Sequence, residues 1–233
     1  MTIINICWNE EYILPFYFKW YKQRFPKAKF IVYDNESTDK TLQICKENNA
    51  FVISYNTNNQ LSDRKYLEIK NNSWKGLDDW VIVCDTDEFL DINEDNLIYE
   101  NSKGSTLINS VGWNMCNKNN TNDILSIKHG IRSINYDKVL CFKAKEIQEI
   151  NYAPGAHSIK PVGRVQYSES KYNLLHMKFL NEDHMVNRYK QFKNRMSIEN
   201  HRNGWGIQYK AEEDKIRTDF KNHLEASKNI YEN

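Results

Sequence analysis

The sequence predicts an α/β fold: a doubly wound, mostly parallel sheet flanked by helices, continued by a smaller, irregular β region and closed by C-terminal helices. Three observations predict it. Through the first 85 residues, short apolar runs alternate with helix-period segments, the rhythm of parallel strands joined by crossover helices. The runs are nearly continuous in apolar, often β-branched residues, as expected for strands covered on both faces. Past Asp91 that rhythm gives way to Asn-rich stretches with scattered strand signals, and helical patterns return only late.

In order along the chain, Thr2–Cys7 (TIINIC) is the first strand and 12–24 the helix after it. Residues 30–33 (FIVY) form the second strand. The turn Asp34-Asn35-Glu36-Ser37-Thr38-Asp39 then leads into a helix over 40–48 with Asp39 at its N-cap. A third strand over 51–55, a helix over 64–75 and a fourth strand over 80–84 complete three βα units. Beyond them, 105–109, 124–127, 138–142 and 158–162 read as strands, and 182–200 and 211–228 as helices. Nothing marks a linker, so 1–233 reads as one domain, the second half (93–233) elaborating the sheet of the first (1–92).

Composition excludes several classes. Lys and Arg number 32 against 31 Asp and Glu, so the chain lacks the basic excess that favours nucleic-acid backbones or anionic lipids. No charged and apolar leader opens it, and no apolar run approaches the roughly 18 residues of a membrane span. The expectation is a soluble, cytoplasmic protein. The five cysteines (Cys7, Cys45, Cys84, Cys116, Cys141) are odd in number and lack CxxC spacing, which reads as reduced, buried thiols rather than a disulfide frame or zinc site.

The chemistry is concentrated in VIVCDTDEFL (81–90), where three carboxylates follow a buried-strand pattern. Ligands of an open parallel sheet bind beyond the carboxyl ends of its strands. The residues there are Trp8-Asn9-Glu10-Glu11 after the first strand, Asp34-Asn35 after the second and Asp85-Thr86-Asp87-Glu88 after the fourth. Residues two apart in an extended segment point the same way, so Asp85 and Asp87 can share one point. Two carboxylates there repel unless a cation lies between them, and hard oxygen donors suit Mg²⁺ or Mn²⁺.

Asn9-Glu10-Glu11, then Tyr33-Asp34-Asn35-Glu36-Ser37-Thr38-Asp39, then Asp79-Trp80-Val81 leading into Asp85-Thr86-Asp87-Glu88-Phe89 together resemble the family-2 and family-92 nucleotide-sugar glycosyltransferases of the GT-A fold. The resemblance is specific over residues 1 to about 92 and weaker to about 200. It implies a nucleotide-binding first half, an acceptor-side second half, a nucleotide-diphosphate sugar donor, a glycan or other hydroxyl acceptor, and Mn²⁺ or Mg²⁺. By the same resemblance, Asn9 and Asp34 lie at the nucleoside, Asp85 at ribose and metal, and Asp87 on the metal. The Arg-Asn pair common in such enzymes is replaced by Lys70-Asn71, with Arg64 one or two turns earlier. His176 fits a later metal ligand, with His157 its competitor.

Inverting transfer, which the resemblance implies, requires one general base for the acceptor hydroxyl. Glu88, Asp123 and Glu146 are candidates, with Asp123 preferred because it lies past Gly112-Trp113-Asn114, the expected acceptor region. Trp113 offers a flat face to sugar C–H groups, although a tryptophan met singly is more often a packing residue. Asn187–Arg195 (NRYKQFKNR) reads as a solvated helix face in preference to a contact for an anionic acceptor or a membrane surface. Two other functions stay open: a nucleotidyltransferase acting on sugar phosphates, disfavoured by the lack of a Gly-rich loop after the first strand, and a non-catalytic carbohydrate-binding module.

Overall fold

The computed structural model describes residues 1–232. Strands β1 (Thr2–Cys7), β2 (Lys29–Asp34), β3 (Phe51–Ser54) and β4 (Trp80–Asp85) run parallel in the spatial order β3-β2-β1-β4. The crossovers carry α1 (Leu14–Arg24), α2 (Thr41–Glu47) and α3 (Asp63–Asn72). Successive strand residues face opposite ways, and both faces are covered. Ile3, Ile82 and Cys84 pack with Tyr17, Phe18 and Tyr21 of α1 and Cys45 of α2. Ile4, Val81 and Val83 pack on the other face with Trp74 and Leu67 of α3. The doubly wound sheet therefore explains the continuous apolar runs of β1 and β4. The exception is β3, the edge strand, whose Phe51 is 66% exposed because no strand lies beyond it.

Local chemistry starts the helices. Pro15 sits in the first turn of α1, where a missing N–H costs nothing, and Leu14, Tyr17, Phe18 and Tyr21 recur at helical spacing on its buried face. Ser62 caps α3 by accepting from Lys65 N. The start of α2 falls one residue later than expected, with Lys40 at the N-cap, while Asp39 Oδ1 accepts from Thr41 N (2.9 Å).

Beyond β4 the chain adds β5 (Glu88–Leu90) and then, in the second half, α4 (Glu94–Ser102), β6 (Leu107–Cys116), β7 (His129–Arg132), β8 (Cys141–Lys143), β9 (Ile147–Glu149), β10 (Val162–Gly163), β11 (Tyr167–Phe179), α5 (Glu182–Arg195), α6 (Ile198–Asn203), α7 (Glu213–Ala226) and β12 (Lys228–Asn229). Antiparallel pairing of β8 to β4 extends the same sheet, through β6 and β7, to β12. The 13-residue β11 runs parallel to β6 and antiparallel to β5.

Several sequence expectations change here. Residues 124–127 are not a strand but a 3-10 turn, with Asp123 Oδ1 accepting from Leu125 N. Most of 158–162 is irregular, and only Val162 enters a short strand. The helix expected over 182–200 breaks at Met196 and Ser197, where the chain turns extended and Met196 bridges to Leu61. Strand β11 and helix α4 had no sequence signal; β11 opens with the polar run Tyr-Ser-Glu-Ser-Lys-Tyr-Asn, exposed or half-buried apart from Ser168. All five cysteines are buried free thiols. Among the described residues no helix is long and apolar enough to cross a membrane.

Candidate active site

The carboxyl ends of β1 and β4 open into a cleft of about 400 Å³, lined from the first half by Trp8, Glu10, Asp63, Lys70 and Asp85–Glu88. The second half supplies Tyr136, Lys138, His157, His176, Lys178 and Arg188. This is where an α/β sheet is expected to bind ligands.

The turn Asp85-Thr86-Asp87 is held from three sides. Asn5, inside β1, donates to Thr86 Oγ1 (3.1 Å), and Glu88 Oε2 accepts from Asp85 N (3.1 Å). Asp85 Oδ2 takes the Lys70 ammonium at 2.7 Å, while its Oδ1 is buried without a partner. Glu88 is itself paired with Lys138 at 2.5 Å, their side chains being 1% and 3% exposed. Burial opposes the charge on Glu88, but Lys138 and Lys70 outweigh it and hold the carboxyl below its usual range. Burial likewise opposes the charge on Lys70, and Asp85 and Glu88 overcome it, raising its pKa.

Asp87 faces the second half. Antiparallel pairing places His176 of β11 opposite Glu88, and parallel pairing places it opposite Asn114 of β6. Asp87 Oδ2 consequently lies 3.2 Å from His176 Nε2, and His176 Nδ1 meets Asn114 Oδ1 at 2.7 Å. Tyr136 stacks on the imidazole, with centroids 3.8 Å apart. An amide oxygen only accepts, so His176 Nδ1 carries a proton, and Nε2 faces the Asp87 carboxylate. Two acceptors so close require either a second ring proton or a shared cation. Burial works against charge on Asp87, yet His176 more than offsets it and keeps the carboxyl below the usual range.

This donor set fits a divalent cation. An imidazole nitrogen oriented by a hydrogen bond on its other nitrogen is a common ligand arrangement, and Asp85 Oδ1 is an orphaned buried oxygen on the same turn. Among the described residues no three His, Cys, Asp or Glu side chains come close enough to cage an ion. An ion held here would take its remaining ligands from water or substrate phosphates.

Other expected residues lie elsewhere. Asn9, with φ of 51°, exchanges hydrogen bonds with Thr38 and does not line the cleft. Asp34 is buried beneath it, accepting from Ser37 N and Cys7 Sγ. Arg64 is exposed on α3, and Asn71 accepts from Tyr152 N, anchoring that loop. Asp123 is exposed outside the cleft, and Trp113 donates to Asn173. His157 lines the cleft edge-to-ring against Tyr136 (5.8 Å), the residue that stacks on His176.

The two loop motifs lock to one another. Backbone N–H groups of Asn9, Glu10 and Glu11 donate to Ser37, Thr41 and Asp39 at 2.8, 2.8 and 3.0 Å. These amides are therefore committed, and the first-strand exit holds no backbone cradle for a triphosphate.

Sequence reasoning missed the cations of the second half. Lys138 carries no periodic signal, and Arg188 and Arg195 were read as part of a solvated face. Lys190 and Lys193 do face solvent, but Arg188 turns inward, donating to the Trp8 and Asn9 carbonyls and pairing with Glu10. Arg195 lies 3.4 Å over the Trp8 ring and donates to Asn59. The alternation of basic and aromatic residues in NRYKQFKNR was the available signal.

Comparison with protein-family models finds no match, and comparison with curated proteins finds none. Among solved structures, the chain is similar to S. aureus TarS residues 1–349, at 13% identity over 95% of this chain and 70% of that chain, TM-score 0.47. It spans 42% of the longer TarS structure, with TM-score 0.46. It is also similar to the mannosyltransferase PcManGT from Pyrobaculum calidifontis in complex with GDP-Man and Mn²⁺, at 10% identity over 82% of this chain and 61% of that chain, TM-score 0.47. At such identities the chemistry of this chain is read from its own cleft.

Proposed function

We propose that the chain is a divalent-cation-dependent glycosyltransferase of the GT-A type, moving a sugar from a nucleotide-diphosphate donor to a hydroxyl of a glycan or similar acceptor with inversion. The observation that carries this reading is the Asp87–His176 pair beside the unpartnered Asp85 Oδ1, at the mouth of β1 and β4. The family-2 and family-92 resemblance of the loop motifs belongs to the same reading.

Asp87 and His176 would hold the cation, Mn²⁺ or Mg²⁺, with Asp85 beside them. Such an ion, when bound, neutralises charge developing on a departing diphosphate. Asn114 fixes the His176 ring so that Nε2 faces Asp87. Lys70 restrains Asp85 and brings positive charge to the cleft wall. Lys178 lies two residues beyond His176 on β11, lines the cleft and has no ion-pair partner among the described residues, so its ammonium is free for an anionic ligand. Preorganised charge of this kind stabilises a leaving diphosphate without reorganisation at the moment of transfer.

A thermal-shift series with UDP, GDP and their sugar conjugates, in Mn²⁺ and in EDTA, tests the reading. A ligand at a hundred times its Kd adds about 2.7 kcal/mol, or roughly 5–10 °C for a chain of this size. The expected result is a shift in Mn²⁺ that EDTA abolishes. No shift with any nucleotide in either condition contradicts the proposal.

A further inference from the structure

We propose that His157 is the general base of the transfer, accepting the acceptor hydroxyl's proton on Nε2; this rests on the glycosyltransferase reading above. His157 Nδ1 lies 2.6 Å from the backbone oxygen of Asn135. A carbonyl oxygen only accepts, so Nδ1 carries the ring proton and Nε2 keeps its lone pair. A base held in one tautomer by a hydrogen bond to its other nitrogen is the arrangement general-base catalysis needs. The ring lines the cleft on the Pro154-Gly155-Ala156 turn. Gly155 keeps one edge of it uncovered: a Cβ there would fall 2.5 Å from Nε2, and the residue's φ of +73° favours glycine as well. Tyr136 lies edge-on to His157 at 5.8 Å and stacks at 3.8 Å on His176. Tyr136 thus touches both histidines.

Four carboxylates of the cleft are paired. Glu10 is paired with Arg188, Asp85 with Lys70, Asp87 with His176 and Glu88 with Lys138. His184 stacks on Tyr12 with no hydrogen bond orienting its ring. Asp63 belongs to the first turn of α3 on the first-half wall. The charged groups acting on His157 are Lys138, Glu88 and Lys70; burial first, then Lys138, lowers its pKa, so the ring is neutral at physiological pH.

In the step, the acceptor O–H bond breaks and its proton moves to Nε2, giving an imidazolium. The hydroxyl's electron pair forms the bond to the anomeric carbon as the bond from that carbon to the diphosphate oxygen breaks. The latter pair leaves with the diphosphate, and the imidazolium later releases its proton to water.

The test measures nucleotide release from UDP-glucose, UDP-N-acetylglucosamine and GDP-mannose in Mn²⁺, with mono- and disaccharides as acceptors, beside the UDP and GDP thermal shift. His157→Ala is expected to lower turnover about 10²- to 10⁴-fold, to leave the thermal shift intact and to recover turnover with added imidazole. Gly155→Ala, which crowds Nε2, is expected to lower turnover with the imidazole still present. Nitrogen-15 NMR of the wild type should show His157 as the Nδ1–H tautomer at pH 7, and turnover should fall as pH drops through its titration. Turnover of His157→Ala within threefold of wild type, a larger loss in Asp63→Asn or His184→Phe, or an Nε2–H tautomer overturns the proposal. Nucleotide binding with no donor turned over by the wild type overturns it as well, whereas absence of nucleotide binding is instead the failure of the glycosyltransferase reading.

Discussion

The two halves of the molecule are built on different rules. In the first, four parallel strands follow one another through short crossovers, and the ends of β1 and β4 deliver polar residues to one rim. In the second, one long strand, β11, returns between β5 and β6 and carries His176 and Lys178 to that rim from 90 residues away in sequence. The first half supplies carboxylates, whereas cations and imidazoles come largely from the second: Lys138, His157, His176, Lys178 and Arg188. The cleft is thus a joint product, and neither half holds a neutralised set of charges alone.

The sharpest way to break that comparison is to remove a second-half cation that serves a first-half carboxylate. Lys138→Met leaves Glu88 buried and unpaired, and breaking a buried pair costs about 3–5 kcal/mol. Urea denaturation should show that loss, with much of it recovered in a Lys138→Met, Glu88→Leu double variant. A cost under about 1 kcal/mol would mean that the pair is not what holds the turn. Arg188→Ala comes next: it strips the Trp8 and Asn9 carbonyls and Glu10 of their shared donor, a loss of about 1.5–3 kcal/mol by the same measurement.

A third effect is set by pH. Burial first, then Arg188, depresses His184 from 6.5 to about 4. The unfolded chain takes up this proton at higher pH than the folded one, so the contribution is complete above about 6.5 and is lost as pH falls toward about 4. Plots of melting temperature against pH should therefore be flatter over that window in His184→Phe, which keeps an aromatic ring against Tyr12. The smallest effect belongs to Asp123→Ala, which removes only a cap on a 3-10 turn outside the cleft. The expected loss is about 0.5–1 kcal/mol, with the nucleotide-dependent shift unchanged.

What was legible in the sequence follows the same division. Strand-end logic found β1 to β4 and the Asp85-Thr86-Asp87 turn, most sharply at β1 and β4, whose burial on both faces writes itself into continuous apolar runs. His176 was singled out by resemblance and position, but the strand that brings it to the cleft was not, since β11 begins polar and becomes apolar only from Leu174. Lys138 had no readable signal, and Arg188 only the basic-aromatic alternation of NRYKQFKNR, because their placement depends on pairing between segments distant in the chain. Asn9 and Asp34 illustrate the converse: a readable motif in which the Asn9 side chain ties one loop to the other and Asp34 holds its own turn.

The most direct test of the joint site is the free-Mn²⁺ signal in electron paramagnetic resonance, titrated with protein in the presence of UDP or GDP. Wild type is predicted to withdraw the signal, while Asp87→Ala from one half and His176→Ala from the other each leave it in place without unfolding. If either variant withdraws Mn²⁺ as wild type does, the two halves do not share a cation.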